Sequence, residues 1–320
     1  MIKSIKVAFE GGLGNQLFQL AYGLHLQSKL RCKVFYDVSK YKVERGEYRQ
    51  FELENIGIPT DWRRCDISKH SGVLGRIERF GLRYLPYIIL TFIFLRTSKA
   101  TNDCTKKKKI SDWYSKAINL IGMHRVHSKF YKDPGTSLFS NIIIYGQWFW
   151  TEKVVEQREQ IRKILDLSFD KGNCNCALSE RIIKSESVGV HIRRGDYVGL
   201  GKVVCSPDYY NNAIDYINSK IPDAVFYIFS DDVNWAKENI RNDKSITFVD
   251  NGNPTIDDFK LLSSCKHFVL SNSTFSWWGA FLGSDENSCV IAPLYWSLDE
   301  PKEKSRMLLP EWTAVDNSTI

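Results

Sequence analysis

The segment His191-Ile-Arg-Arg-Gly-Asp-Tyr197 sets two adjacent guanidiniums beside an imidazole and a carboxylate. Arginine grips phosphate oxygens in bidentate fashion and keeps its charge, so Arg193 and Arg194 suit a diphosphate. The plain alternative is an Arg–Asp ion pair closing a strand. Reading the RGD triplet as an adhesive signal would need an exposed extracellular loop, whereas this triplet follows an apolar, strand-like run. A second segment, Ser271-Asn-Ser-Thr-Phe-Ser-Trp-Trp-Gly279, offers small polar residues just ahead of a helical pattern. Hydroxyls of Ser273 and Thr274, together with free backbone N–H groups at a helix start, favour an anion. Simple N-capping would account for one of those hydroxyls. Trp277 and Trp278 are expected to pack between helix and sheet. In a third segment, Ser230-Asp231-Asp232, either carboxylate could accept hydrogen bonds from guanine N–H groups or ribose hydroxyls, or act as a helix N-cap. The fourth, Gly11-Gly-Leu-Gly-Asn-Gln16, is a glycine turn that lets backbone approach a ligand. It compares with G-x-G-x-x-G at Gly12 and Gly14, and Asp37 stands where a ribose-binding acid would be. Leu17 occupies the third glycine position. An NAD-type Rossmann oxidoreductase is therefore the alternative reading.

Chemistry of this kind needs strands that deliver each turn to one edge. From Ser187 to Pro293, short apolar runs alternate with helix-length patterns, the mark of a parallel α/β sheet. Strands are expected at Val188–Arg193, Ala224–Phe229, Ile246–Val249, His267–Ser271 and Cys289–Ala292. Helices are expected near Asp208–Ser219, Asn234–Asn239, Ile256–Ser264 and Phe275–Leu282, with Ser206 and Pro207 as N-cap and first helical residue. Alternation puts Val188, Val190 and Ile192 on one face and His191 with Arg193 on the other. Residues 194–197 then lie at the carboxyl edge, where open α/β sheets bind ligands. The amino-terminal half opens with a βαβ unit: strand Ile5–Phe9, helix Gln16–Lys29 and strand Cys32–Asp37. Asn141–Tyr145 reads as a further strand and Glu152–Leu165 as one amphipathic bridging helix. The domain boundary is placed at 165, giving domains 1–165 and 166–320.

Composition sets the frame: 320 residues, 43% hydrophobic and 25% charged, describe a globular chain of about two domains. The net charge of +7 suits anionic small molecules, a membrane surface or nucleic acid about equally. A nucleic-acid-binding protein lacks support from interleaved aromatic and basic residues. Eight cysteines show no CxxC pair and no Cys/His cluster at zinc spacing, so free thiols and no metal site are expected. No apolar run reaches the roughly 20 residues of a membrane span, and the first strand begins almost at Met1, so a cytoplasmic protein is expected. Two stretches stand apart. Leu85–Leu95 is mostly apolar between Arg83 and Arg96, and Lys106–Lys109 is a run of lysines whose simplest reading is a solvated loop. Together they leave peripheral membrane contact, at the inner face of the membrane, as an open expectation.

In order, Gly11-Gly-Leu-Gly-Asn-Gln-Leu-Phe-Gln19, His191–Tyr197, Ser271–Gly279 and Val290-Ile-Ala-Pro-Leu-Tyr-Trp296 resemble the galactoside α-1,2-fucosyltransferase family. The resemblance runs from residue 7 to about 296 and thins between 55 and 140. It implies two Rossmann-like domains facing a cleft, the GT-B type, with the acceptor on the first and GDP-fucose on the second. It further implies transfer of L-fucose to the 2-hydroxyl of a galactoside with inversion, and no metal requirement. No DxD motif is present, since Asp231-Asp232 and Asp257-Asp258 are simple pairs. Catalysis is assigned to Arg193, at the β-phosphate, and to Asp196, as base or as the group that orients Arg193. Asn15, His191, Arg194, Asp231, Asp232, Ser273 and Thr274 are the donor-binding candidates. The expected partners are GDP-fucose and a galactose-terminated oligosaccharide, not nucleic acid.

Overall fold

The computed structural model describes residues 2–38, 41, 50–58, 85–101, 103–126, 134, 141–146, 151–169, 175–202, 205–241, 243–250, 252–297 and 306–317. The chain divides into two compact units: Met1–Phe51 with Pro59–Gln157, and Glu52–Ile58 with Arg158–Ile320. The short segment 52–58 joins the second unit, where Asp166 N donates to Ile56 O at 2.9 Å.

In the first unit, β1 (Ser4–Ala8), α1 (Leu13–Leu30) and β2 (Lys33–Asp37) form the expected βαβ start. Next come α2 (Leu85–Lys99), α3 (Cys104–Leu120), β3 (Met123–Val126) and β4 (Asn141–Gly146). The strands pair in parallel in the order β2-β1-β4-β3. Two sequence expectations need correction here. The lysine run is the first turns of α3, because Asp103 caps it by accepting from Thr105 N at 2.8 Å and Lys106 N at 3.2 Å. The bridging helix is two helices, α4 (Thr151–Val155) and α5 (Arg158–Ile164). A tight bond from Gln157 N to Val154 O closes the first of them, and Glu156 turns aside to pair with the buried His25 at 3.5 Å.

In the second unit, α6 (Cys176–Lys184) leads into β5 (Glu186–Ile192), a short α7 (Gly195–Gly199), α8 (Pro207–Lys220) and β6 (Ala224–Ser230). Then follow α9 (Val233–Asn239), β7 (Ile246–Phe248), α10 (Thr255–Ser263), β8 (His267–Val269), α11 (Thr274–Gly283), β9 (Val290–Pro293) and β10 (Thr313–Val315). Every expected strand and helix of this half is present, and α6, α7 and β10 are additions. The all-parallel sheet has the order β7-β6-β5-β8-β9-β10, the doubly wound arrangement. Val188, Val190 and Ile192 pack with Tyr209, Ile214 and Ile217 of α8 in one core cluster. Burial of each such side chain stabilises by roughly 1.5–3 kcal/mol. Ser206 caps α8 by accepting from Tyr209 N at 3.2 Å, with Pro207 behind it. Trp277 and Trp278 are fully buried, and Trp277 Nε1 donates to Met307 O at 2.8 Å.

Candidate functional site

Growth of the second sheet reverses between β5 and β8, neighbours whose sequence positions are separated by all the elements from α7 to α10. At such a switch point the loops leaving the two strands part and open a crevice at the carboxyl edge. The β5 loop carries Arg193 and Arg194; the β8 loop carries Ser271–Ser273. His191, on β5, joins them. Its Nδ1 lies 2.8 Å from Ser271 Oγ, and its ring lies 5.0 Å from that of Phe275. Burial, and secondarily the charge of Arg193, push its pKa down to about 3. His191 is accordingly a neutral imidazole.

The arginines are held by carboxylates. Arg193 pairs through Nη2 with Asp196 and through Nη1 with Asp231, and its guanidinium lies 5.2 Å from the Tyr197 ring centre. Arg194 donates its backbone N–H to Asp231 at 2.8 Å and its Nε to Asp232 at 3.2 Å, and stacks on Trp235 at 3.9 Å. Asp231 thus fixes one side chain and the next backbone together. Asp232 also caps α9, accepting from Trp235 N at 3.2 Å. Gly195 leaves room for the Asp231 carboxylate. A Cβ there would lie 2.5 Å from Asp231 Oδ2.

The β8 turn is tied to the same place. Ser273 caps α11 by accepting from Phe275 N at 3.3 Å, Thr274 is the first residue of that helix, and Ser276 Oγ donates to Ser273 O at 3.1 Å. Asn272 donates to Lys202 O at 2.9 Å and to Trp296 O at 3.2 Å, lashing the turn to the loop beyond α7. His191, Arg193, Arg194, Asp196, Asp231, Asp232, Ser273 and Thr274 therefore gather at the carboxyl ends of β5, β6 and β8. Asn15 belongs to the first unit, on the first turn of α1, beneath a Gly11 whose φ of +80° only glycine adopts without strain.

Sequence reasoning overlooked some partners. Trp235 is the stacking platform for Arg194, and its place three residues after a capping aspartate was the available signal. Asp258, in the first turn of α10 at the same sheet edge, accepts from Asn253 Nδ2 at 2.9 Å. Burial, offset in part by that bond and reinforced by Asp257, raises its pKa to about 6. A carboxylate so perturbed at a ligand-binding edge is a functional candidate. Among the described residues, no group of three or more His, Cys, Asp and Glu is arranged to hold a metal ion.

An α/β protein with a doubly wound sheet and two carboxylate-held arginines at its switch point has its polar cluster where such sheets bind ligands. The profile of glycosyl transferase family 11 matches residues 4–316, and the chain belongs to that family. It is a glycosyltransferase. The chain is 30% identical over 318 residues to the O-antigen biosynthesis glycosyltransferase WbnK of Escherichia coli, covering 94% of this chain and 97% of that one. It is 29% identical over 330 residues to an alpha-1,2-colitosyltransferase of the same organism, covering 98% and 99%. Galactoside alpha-(1,2)-fucosyltransferase 2 of Sus scrofa matches at 33% identity over 144 residues, 41% of this chain and 42% of its own. The fold is similar to that of NodZ alpha-1,6-fucosyltransferase soaked with GDP-fucose, with a TM-score of 0.53, 15% identity, and 88% and 93% of the two chains covered. The oxidoreductase alternative is not favoured, and Leu17, in place of its third glycine, is fully buried on α1.

Proposed function

We propose that the protein transfers L-fucose from GDP-fucose to the 2-hydroxyl of a galactoside, with inversion and without a metal ion. The observation that carries this reading is the Arg193–Arg194 pair at the β5/β8 switch point, faced by the Ser273–Thr274 helix start. The GT-B type arrangement, with the acceptor served by the first unit and Asn15, belongs to the same proposal.

Cleavage of the sugar–phosphate bond leaves its electron pair on the β-phosphate of GDP, so a fixed cation there stabilises the transition state more than the ground state. Arg193 supplies it. Of its two carboxylate partners, Asp196 is the more exposed, at 41% against 26% for Asp231, and sits on a five-residue helix. Donor phosphate therefore displaces Asp196 and leaves Asp231 in place. The released Asp196 carboxylate takes the acceptor hydroxyl proton as that oxygen attacks the anomeric carbon from the face opposite GDP. Ser273 and Thr274 hold phosphate oxygens, and neutral His191 orients the turn while facing the guanosine. Asp231 and Asp232, one of which the sequence reading sets at the guanosine, serve the donor through the arginines in this reading. Arg194, clamped between Asp232 and Trp235, shapes the loop.

One comparison favours a second donor. The relative matched over 99% of its length is, by its name, an alpha-1,2-colitosyltransferase. Purified enzyme given GDP-fucose or GDP-colitose with lactose and with type 1 and type 2 glycan termini, and products analysed by mass spectrometry and NMR, decides between them. Faster α-1,2-fucosylation is expected. Turnover with GDP-colitose alone would replace fucose in the proposal, and a linkage other than 1,2 would overturn it.

A further inference from the structure

We infer that the α2–α3 hairpin docks the enzyme on an anionic lipid surface. Helix α2 is apolar all round, and such a helix is ordinarily buried on every side. Among the described residues only one side is packed. Tyr87, Leu90 and Phe94 lie against Tyr114, Ile118 and Met123, Phe94 stacks on Tyr114 at 4.5 Å, and Thr91 Oγ1 lies 2.8 Å from the Tyr114 hydroxyl. The opposite side carries Leu85, Ile88, Ile89, Phe92, Ile93 and Leu95, each between 40% and 63% exposed. No residue of α2 is buried.

Charge says what covers that face. Leu85, Ile89, Phe92, Arg96 and Lys99 follow one another at helical steps of four and three, so cations end the apolar stripe on its own side. On α3, Lys106, Lys109, Trp113, Lys116 and Leu120 follow the same steps and are all exposed. Lysines beside apolar side chains, with a tryptophan among them, match a headgroup layer over acyl chains. A protein partner fits less well, because lysine is depleted at the core of protein interfaces. A second copy fits less well too, since a self-complementary contact brings like lysines together. At 15 residues and about 1.5 Å of rise each, α2 is roughly 22 Å long, below the roughly 30 Å of a bilayer core, so it lies on the surface. Among the described residues no helix is long and apolar enough to cross a membrane.

Cosedimentation of the full chain with vesicles tests this. Vesicles of equal phosphatidylglycerol and phosphatidylcholine should bind about tenfold or more tightly than phosphatidylcholine alone, with binding falling as salt rises. The triple variant Ile88→Ser, Ile89→Ser, Phe92→Ser should lose about tenfold in partitioning to anionic vesicles. Replacing Lys106, Lys107, Lys108 and Lys109 by Gln should abolish the preference for anionic lipid. Those lysines are fully on the surface, so this variant decides the matter even where the triple variant fails to fold by circular dichroism. Equal binding to both vesicle types, or none, overturns the inference. So does a dimer seen by light scattering that the triple variant dissociates while vesicle binding is unchanged.

Discussion

Asp231→Asn isolates the link between Arg193 and the loop that carries it. The carboxylate accepts from Arg194 N–H at 2.8 Å and pairs through its other oxygen with Arg193 Nη1. An amide keeps one acceptor and presents N–H groups where the second stood, so either the loop or the guanidinium loses its anchor. A hydrogen bond to a charged group contributes about 1.5–3 kcal/mol. At about 1.4 kcal/mol per factor of ten, kcat/KM for fucosyl transfer should fall roughly 10- to 100-fold. Stability should change little, because a partly exposed ion pair contributes below about 1 kcal/mol, or under about 2 °C in Tm for a chain of this length. Gly195→Ala strikes the same carboxylate by sterics and should give the same kinetic loss. Steady-state kinetics beside thermal unfolding provide the assay. If Asp231→Asn stays within threefold of wild type at an unchanged Tm, Asp231 does not position Arg193.

Arg193→Lys keeps the charge but not the fork, and should lower kcat/KM about 10²-fold or more at an unaltered Tm, measured in the same assay. Excess EDTA should leave turnover essentially intact; complete loss restored by Mn²⁺ or Mg²⁺ would contradict the phosphate site proposed. Asp196→Asn should cut single-turnover transfer far more than calorimetric GDP affinity, and parallel losses would return Asp196 to orienting Arg193. His191 remains neutral to about pH 3 when folded and takes a proton near 6.5 when unfolded, so it makes stability fall as pH drops from 6.5 toward 3. Asp258 acts in the opposite sense, favouring the fold below its ordinary 3.8 and losing that contribution as pH rises through about 6. In urea melts Asp258→Asn should therefore be stabilising at pH 8 relative to pH 4, and a uniform shift would refute the assignment.

The second sheet was legible because its strands are short β-branched runs punctuated by capped helices, and Ser206, Asp232 and Ser273 mark helix starts chemically. The hairpin was not. Its apolar helix lacks the one-sided pattern from which helices are recognised, and the lysine run that opens α3 looks like solvated chain until Asp103 is seen capping it. The strand Met123–Val126, polar at its second and third positions, gives no period to read. At the site, residue types announced a phosphate-binding edge, yet Asp231 and Asp232 invited ligand roles of their own. Only geometry shows them joined to arginines 37 or 38 positions away.

That joining bears on how a site made of arginines can await its ligand. Three carboxylates face two guanidiniums, so the positive field is masked before the donor arrives. The partners are unequal: Asp231 bonds to loop backbone and Asp232 caps a helix, which fixes both, whereas Asp196 is the most exposed of the three. In the proposed reaction, phosphate therefore competes with Asp196 alone. Arrival of the leaving group and release of the base become one event, and donor binding must precede proton abstraction. Wild-type enzyme should then bind acceptor productively only after GDP-fucose, a compulsory order that initial-rate patterns with GDP as product inhibitor reveal. Random-order kinetics, with Asp196→Asn still defective in transfer, would show that the carboxylate is available as a base before any donor is bound.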